Sequence, residues 1–124
     1  MQDYIYKDAA LNKAFVTNRS RSGVKSAELE YTTLSVLELD GRHISLVKVK
    51  LKTGRFHQIR AQFASRKMPL IGDKKYGSRD FKAKMPSLFA SEIGFKIGGD
   101  IVECKALPNL CEYPWSLFDK ADYK

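Results

Sequence analysis

Apolar residues recur along this chain in two rhythms. In LEYTTLSVLEL (29–39) and HISLVKVKL (43–51), β-branched and aromatic residues alternate with polar ones, and Asp40-Gly41 between them is a strong two-residue turn signal. The pattern predicts an antiparallel hairpin. Along 43–51 it places Val47, Val49 and Leu51 on one face, expected toward the core, and Ile44, Leu46, Lys48 and Lys50 on the other. From Phe56 the rhythm changes to about 100° per residue. Phe56, Ile59, Phe63 and Ala64 then share one arc of a helix that runs to about Lys67 and stops before Met68-Pro69. Thr53-Gly54 ahead of it suits an N-cap and a tight turn, leaving backbone N–H groups free at a helix start. SLFASEIGFKIG (87–98) and IVECKAL (101–107), joined by Gly99-Asp100, predict a second hairpin.

The remaining segments carry weaker signals. Residues 1–17 read as a strand anchored by Tyr4, Ile5 and Tyr6, a loop, and a short strand at Phe15-Val16. NRSRSGVKSAE (18–28) has the Ser, Gly, Arg and Asn content of an exposed connection. PLIGDKKYGS (69–78) predicts a short strand and a turn in which Asp73 closes the bend, and PWSLFDKADYK adds a helical turn after Pro114, with Trp115 in a core or an interface. Together these elements imply an α+β fold: a mostly antiparallel mixed sheet with one main amphipathic helix, in a single domain spanning 1–124.

One polar residue disturbs the helical pattern. Arg60 falls inside the apolar arc, and a guanidinium facing a core needs a carboxylate because it cannot give up its proton. The alternative is a surface arginine whose stem covers apolar neighbours.

Composition narrows the function classes. With 124 residues, 44% hydrophobic and 29% charged, the chain supports a core without staples, and no apolar run reaches the roughly 18 residues of a membrane span. The polar start MQDYIYKD lacks the apolar stretch of a secretory signal, and the chain is expected in the cytosol. Cys104 and Cys111 are expected as free thiols, and no CxxC or HxxxH spacing gathers metal ligands. The formal charge of +8 is uneven. Residues 52–84 hold ten Lys/Arg against Asp73 and Asp80, a surplus equal to that of the whole chain. Concentrated at a helix start and a Gly-rich turn, that charge reads as a phosphate-tracking surface, with Arg55, His57 and Gln58 at the helix start and Lys74, Lys75 and Tyr76 at the turn as candidate RNA contacts. For His57 the competing reading is a structural hydrogen bond, and for Tyr76 a ring packed on the sheet.

The stretch LKTGRFHQIRAQFASRKMPLIGDKKYGS (51–78) resembles the third signature of the RluA-type RNA pseudouridine synthases, TGR-x-HQIR followed by a helix and P-[IL]-x-GD-x-x-YG. SLFA (87–90) resembles that family's later Leu-His-Ala segment, and the likeness covers roughly residues 25–110. Phe56, Gln62 and Phe89 depart from the usual residues, as in a divergent subgroup. No HRLD-type motif, the family's source of the nucleophilic aspartate, occurs anywhere in the chain, and the KxYxA-type tyrosine motif is missing too.

The resemblance implies that Arg60 is the catalytic arginine that pairs with that aspartate, and that the aspartate lies upstream of residue 1. The chain would then be the C-terminal portion of a synthase catalytic domain, inactive alone, with Leu88 lining the uracil pocket. It further implies isomerisation of uridine in ribosomal or transfer RNA, with neither metal nor organic cofactor. Expected partners are RNA and the missing N-terminal half, and an uncovered sheet edge would favour self-association of the fragment. A non-catalytic RNA-binding module is the alternative, and a protein-interaction remnant a third reading.

Overall fold

The computed structural model describes residues 1–19 and 21–124. Its largest unit is an antiparallel sheet with strand order β2-β1-β3-β4, built from β1 (Gln2–Asp8), β2 (Lys13–Thr17), β3 (Lys25–Leu39) and β4 (Arg42–Leu51). The long β3 serves two partners. Its first residues pair with β1, Ile5 opposite Lys25 and Gln2 opposite Glu28, and from Leu29 onward it pairs with β4. Leu29, fully buried, stands where the two halves meet, and the Met1 amino group donates to its carbonyl at 2.7 Å. Of the exposed connection expected over 18–28, residues 25–28 are therefore strand, and residue 20 lies outside the described residues.

The β3–β4 turn forms where the sequence places it. Asp40 (φ 51°) and Gly41 (φ 73°) both take the left-handed region, which a two-residue turn matching strand twist requires. The second hairpin, β5 (Glu92–Ile97) and β6 (Asp100–Lys105), turns one residue earlier than expected, at Gly98-Gly99. Two glycines supply both positive φ values without a Cβ penalty, and Asp100 is released to pair with Ile97. This hairpin forms its own two-stranded sheet, with every residue but Val102 exposed.

Helix α1 (Gln58–Ser65) is shorter than the expected 56–67. It ends in a Schellman arrangement: Met68 N–H donates to the Phe63 carbonyl and Lys67 N–H to the Ala64 carbonyl, with Lys67 left-handed at φ 60°. Pro69 follows. The N-cap is His57, itself left-handed at φ 49°, and not Thr53, whose hydroxyl is bound elsewhere. The buried helix residues are Gln58, Ala61, Gln62 and Phe63, so the packed face is rotated from the predicted arc. The sheet presents Ala14 and Ala27 to the helix, and small residues on both sides permit the close approach that buries Ile5, Ala61 and Tyr76 with them.

A second cluster sits under the far half of the β3–β4 hairpin. There Ile44, Leu46 and Phe118 are buried, flanked by Leu34, Leu37 and Trp115. The buried face of β4 is thus the one carrying Ile44 and Leu46, whereas Leu51 is largely exposed, a reversal of the expected sidedness. The C-terminal tail decides it, because its 3₁₀ turn at Trp115–Leu117 packs on that side. Residues 69–71 form no strand; Leu70 and Asp73 close a turn leading to a 3₁₀ turn at Lys74–Tyr76. The α+β class holds, with every strand pair antiparallel.

Replacing Lys67 by Gly removes the cost of a side chain in the left-handed region and should raise unfolding free energy by about 1 kcal/mol in urea titrations. A fall in stability would contradict the helix-end geometry.

Candidate active site and RNA-facing surface

The segment between β4 and α1 is held by one glutamine. Gln58 Oε1 accepts from the Thr53 hydroxyl (2.8 Å) and the Arg55 N–H (2.9 Å), while its Nε2 donates to the Glu28 carbonyl (3.1 Å). Thr53 Oγ1 also accepts the Glu28 N–H at 2.9 Å, and Arg55 Nε reaches the Ser26 carbonyl at 2.8 Å. TGRxHQ is therefore a clamp that laces the helix start to β3. Its amide is engaged at both ends and 3% of its surface is exposed, so Gln58, a candidate RNA contact in the sequence, fastens this segment.

Arg60, next on the helix, finds its carboxylate within the chain. Its Nε and Nη2 donate to the two oxygens of Asp73, each at 2.8 Å, a bidentate pair in which Asp73 is wholly buried and the Arg60 side chain 19% exposed. Within this chain the guanidinium therefore has a carboxylate partner besides the upstream one that the resemblance implies. Periodicity showed that a partner was needed but not that the turn after the helix folds back to supply it. The hydrogen bond that Arg60 donates to Asp73 raises the Arg60 pKa above its ordinary value against the opposing effect of burial. Gly72 (φ 81°) allows the turn: a Cβ there would overlap the Met85 carbonyl oxygen and come within 2.9 Å of the Ala83 Cβ.

The third guanidinium nitrogen, Nη1, lies 3.0 Å from His57 Nε2. Arginine only donates, so Nε2 accepts and the imidazole proton belongs on Nδ1, which donates to the Tyr76 hydroxyl at 2.8 Å. That hydroxyl also accepts the Ala14 N–H at 2.8 Å. One chain of polar contacts thus joins Asp73, Arg60, His57, Tyr76 and β2. Burial lowers the His57 pKa, and the positive charges of Arg60 and Lys75 lower it further, which keeps the ring neutral. Tyr76, only 9% exposed, packs on the sheet, as the competing reading of the sequence expects, and burial raises its pKa.

Arg55, His57, Gln58, Arg60 and Leu88 line a single open cavity of about 380 Å³. Five of the eight residues singled out in the sequence are thereby brought together. Leu88, distant in sequence and 47% exposed, joins this lining and is not core. Lys74 and Lys75 are exposed on the neighbouring turn, outside the cavity lining. Sequence reasoning placed Phe56 in the apolar arc of the helix and among the departures from the family pattern, not beside His57. Its ring stacks on His57 with centroids 3.8 Å apart and carries Lys7 Nζ 4.1 Å from its own centroid. A bulky aromatic directly before the histidine was the signal available for this contact.

The other buried acid is engaged as well. Asp80 accepts the Tyr113 hydroxyl and the Lys82 N–H, with Arg42 at 3.5 Å. Burial alone would raise its pKa, but these hydrogen bonds bring it below the ordinary value, while burial and the Asp80 carboxylate push Tyr113 up to about 12. Neither Asp73 nor Asp80 is a free nucleophile. Cys104 and Cys111 are unpaired and exposed, and among the described residues no cluster of His, Cys, Asp or Glu could hold a metal ion.

A family model described as RNA pseudouridylate synthase matches residues 2–65. An uncharacterised RNA pseudouridine synthase of Aquifex aeolicus is 49% identical over 53 residues, 43% of this chain and 16% of that protein. Ribosomal large subunit pseudouridine synthase D of Borreliella burgdorferi is 29% identical over 114 residues, 92% of this chain and 32% of that protein. The protein of the same name in Pseudomonas aeruginosa is 35% identical over 72 residues, 58% of this chain and 22% of that protein. The chain spans less than a third of the length of these relatives.

Because the folded state lowers the His57 pKa from 6.5, its contribution to stability is complete above that value and is lost as pH falls through the lower native one. Unfolding free energy should decline in that window, and His57→Asn, which tolerates the left-handed backbone, should remove the decline. A flat wild-type profile would contradict the half-buried neutral ring. Gly72→Ala should destabilise by more than about 2 kcal/mol, since it forces strain at positive φ and a steric overlap; a change under about 0.5 kcal/mol on the same scale would show that the turn is not so constrained.

Proposed function

The chain belongs to the RNA pseudouridylate synthase family, and from that premise we propose that it forms the target-pocket and RNA-gripping portion of a domain that isomerises uridine to pseudouridine in structured RNA, with ribosomal RNA the first candidate. The observation that carries this reading is the single cavity lined by Arg55, His57, Arg60 and Leu88, a cationic rim with an apolar wall suited to a flat, polar base. Lys74, Lys75 and the Arg55 guanidinium supply charge beside it for the flanking phosphates, which the enzyme must hold while a nucleotide leaves its stack.

In the proposed reaction a carboxylate bonds transiently to the ribosyl or uracil system of the target nucleotide, the N1–C1′ bond breaks, the base turns over, and a C5–C1′ bond forms, the bond to the carboxylate breaking again so that the carboxylate is regenerated. The C5 proton is then released and N1 carries one, so the product is an isomer and no cofactor enters the balance. The chain has no HRLD-type motif, and Asp73 and Asp80 are both engaged, so the nucleophile is assigned to polypeptide other than these 124 residues. Arg60 then acts as a positioning residue: its fork fixes the Asp73 turn and its remaining nitrogen sets the His57 tautomer at the cavity wall.

The nucleophile-bearing portion has a natural place. β4 is an edge strand, and beside it runs an open groove of about 1160 Å³ lined by Val47, Val49, Phe63, Leu88 and Trp115 among others. An unpaired edge next to apolar surface is the kind of feature a further sheet segment covers, and in its absence a second copy would compete for it. Among the described residues no helix is long and apolar enough to cross a membrane, and this reading puts the protein in the cytoplasm with its RNA. The engagement of both buried aspartates also favours a second reading, a non-catalytic RNA-binding module.

A tritium-release assay on 5-tritiated uridine RNA should show no turnover by the chain alone and turnover once an HRLD-bearing segment is added in trans. Failure of complementation with retained RNA binding would favour the second reading, and turnover by the chain alone would refute the assignment of the nucleophile. RNA affinity should fall with salt at a log–log slope near −0.7 per phosphate neutralised on single strands; absent or salt-independent binding would overturn both readings.

A further inference from the structure

The first hairpin inverts the usual distribution of size. Alternation along β1 and β2 turns Ile5, Ala14 and Val16 toward α1, whereas the opposite face carries Tyr4, Tyr6 and Phe15. Large aromatics are thus on the side the helix does not cover. Tyr6 and Phe15, directly opposed in register, stack with centroids 5.4 Å apart and planes at 22°. Tyr4 continues the row and is 52% exposed. Cations accompany the rings: the Arg21 guanidinium carbon lies 4.1 Å from the Tyr6 centroid and Lys13 Nζ 5.4 Å from that of Phe15.

This surface meets the histidine network at the β2 edge of the sheet. Lys13 Nζ is also 5.2 Å from the Tyr76 ring, so one ammonium touches both the histidine network and the outer face across the β2 edge. Lys7 points the other way from Tyr6 and covers Phe56 at the cavity side. Residues 1–25 hold five Lys/Arg against Asp3 and Asp8. Lys7 and Lys13 on the hairpin balance Asp3 and Asp8, which are held by Arg66 and by the Leu11 N–H, so the surplus comes from Arg19, Arg21 and Lys25, which follow β2.

We propose that the outer face of the β1–β2 hairpin is a second RNA contact, a platform on which unpaired bases flanking the target stack against Tyr4, Tyr6 and Phe15 while Arg21 and Lys13 meet the backbone. The proposal rests on the RNA-binding reading above and adds to it a surface outside the target cavity. Aromatic rings interleaved with cations suit single-stranded nucleic acid, because every base offers a face for stacking and every linkage a negative charge. A double helix, with its bases already stacked, would gain only the charge.

The test uses fluorescence anisotropy with a labelled single-stranded oligoribonucleotide. Tyr4→Ala combined with Arg21→Ala, both at exposed positions, should weaken binding at least about tenfold, whereas Tyr4→Phe should bind like the parent. Affinity for a blunt RNA duplex should change less than threefold. In parallel, photocrosslinking of 4-thiouridine RNA to the unaltered chain should label the peptide containing Tyr4 and Tyr6, a readout that no folding defect can mimic. Parent-like binding by the double variant, with crosslinks confined to the Arg55–Lys75 region, would overturn the platform and leave the RNA-binding function standing. Absence of RNA binding by the unaltered chain would overturn both. Self-association lost in Tyr4→Ala with RNA affinity intact would assign the face to a protein contact and overturn the platform.

Discussion

A guanidinium clasped by a carboxylate in a nearly dry setting constrains the rest of this molecule. Arg60 and Asp73 stand 13 residues apart, on either side of the helix end, and their paired 2.8 Å contacts require that end and the following turn to meet at one distance and one angle. The Schellman close at Lys67 reverses the chain, Pro69 prevents the helix from continuing, and Gly72 lets the backbone pass under Met85. Removing either charge would leave the other buried without a partner, which costs far more than the pair contributes over an apolar substitute. Geometry, more than net stability, is what the pair provides.

That geometry reaches the cavity through the nitrogen left over. Because Arg60 Nη1 can only donate, it dictates which His57 nitrogen bears the proton, and His57 then reaches Tyr76 and, through it, the edge of β2. Gln58 does the corresponding work on the other side, tying the helix start to β3. In the signature TGRxHQIR, Thr53, Gln58 and Arg60 act as fasteners, and Arg55 and His57 join Gln58 and Arg60 in lining the cavity. Membership of the RNA pseudouridylate synthase family gives the rim its meaning, and the fasteners explain why it keeps its shape.

Much of this was legible in the residues, and the gaps have physical causes. Asp40-Gly41 announced its turn because few residue pairs accept two positive φ values, yet Gly98-Gly99-Asp100 offered two such pairs and pattern alone did not choose between them. The helix was found, but its packed face was misjudged: hydrophobic periodicity weighs Ile59 and Phe56, whereas the sheet was built with alanines that admit Gln58, Ala61 and Gln62. The sidedness of β4 depended on a tail some seventy residues downstream in sequence, invisible to any local rule. Arg60 declared its need for a carboxylate, and Asp73 lay in plain view within the same motif. What the sequence lacks is direction, since spacing does not reveal whether a turn aims its side chain back at the preceding helix. The outer aromatics of the first hairpin went unread for a related reason: Tyr4 and Tyr6 look like ordinary strand anchors until the covered face is known.

The most direct test of this account is a double-mutant cycle on Arg60→Ala and Asp73→Ala, read by urea unfolding. Direct pairing predicts a coupling free energy of about 2 kcal/mol or more, with the double variant little worse than either single one. Additive losses, with coupling below about 0.5 kcal/mol, would mean that the two side chains do not constrain each other and that the cavity is shaped by something else.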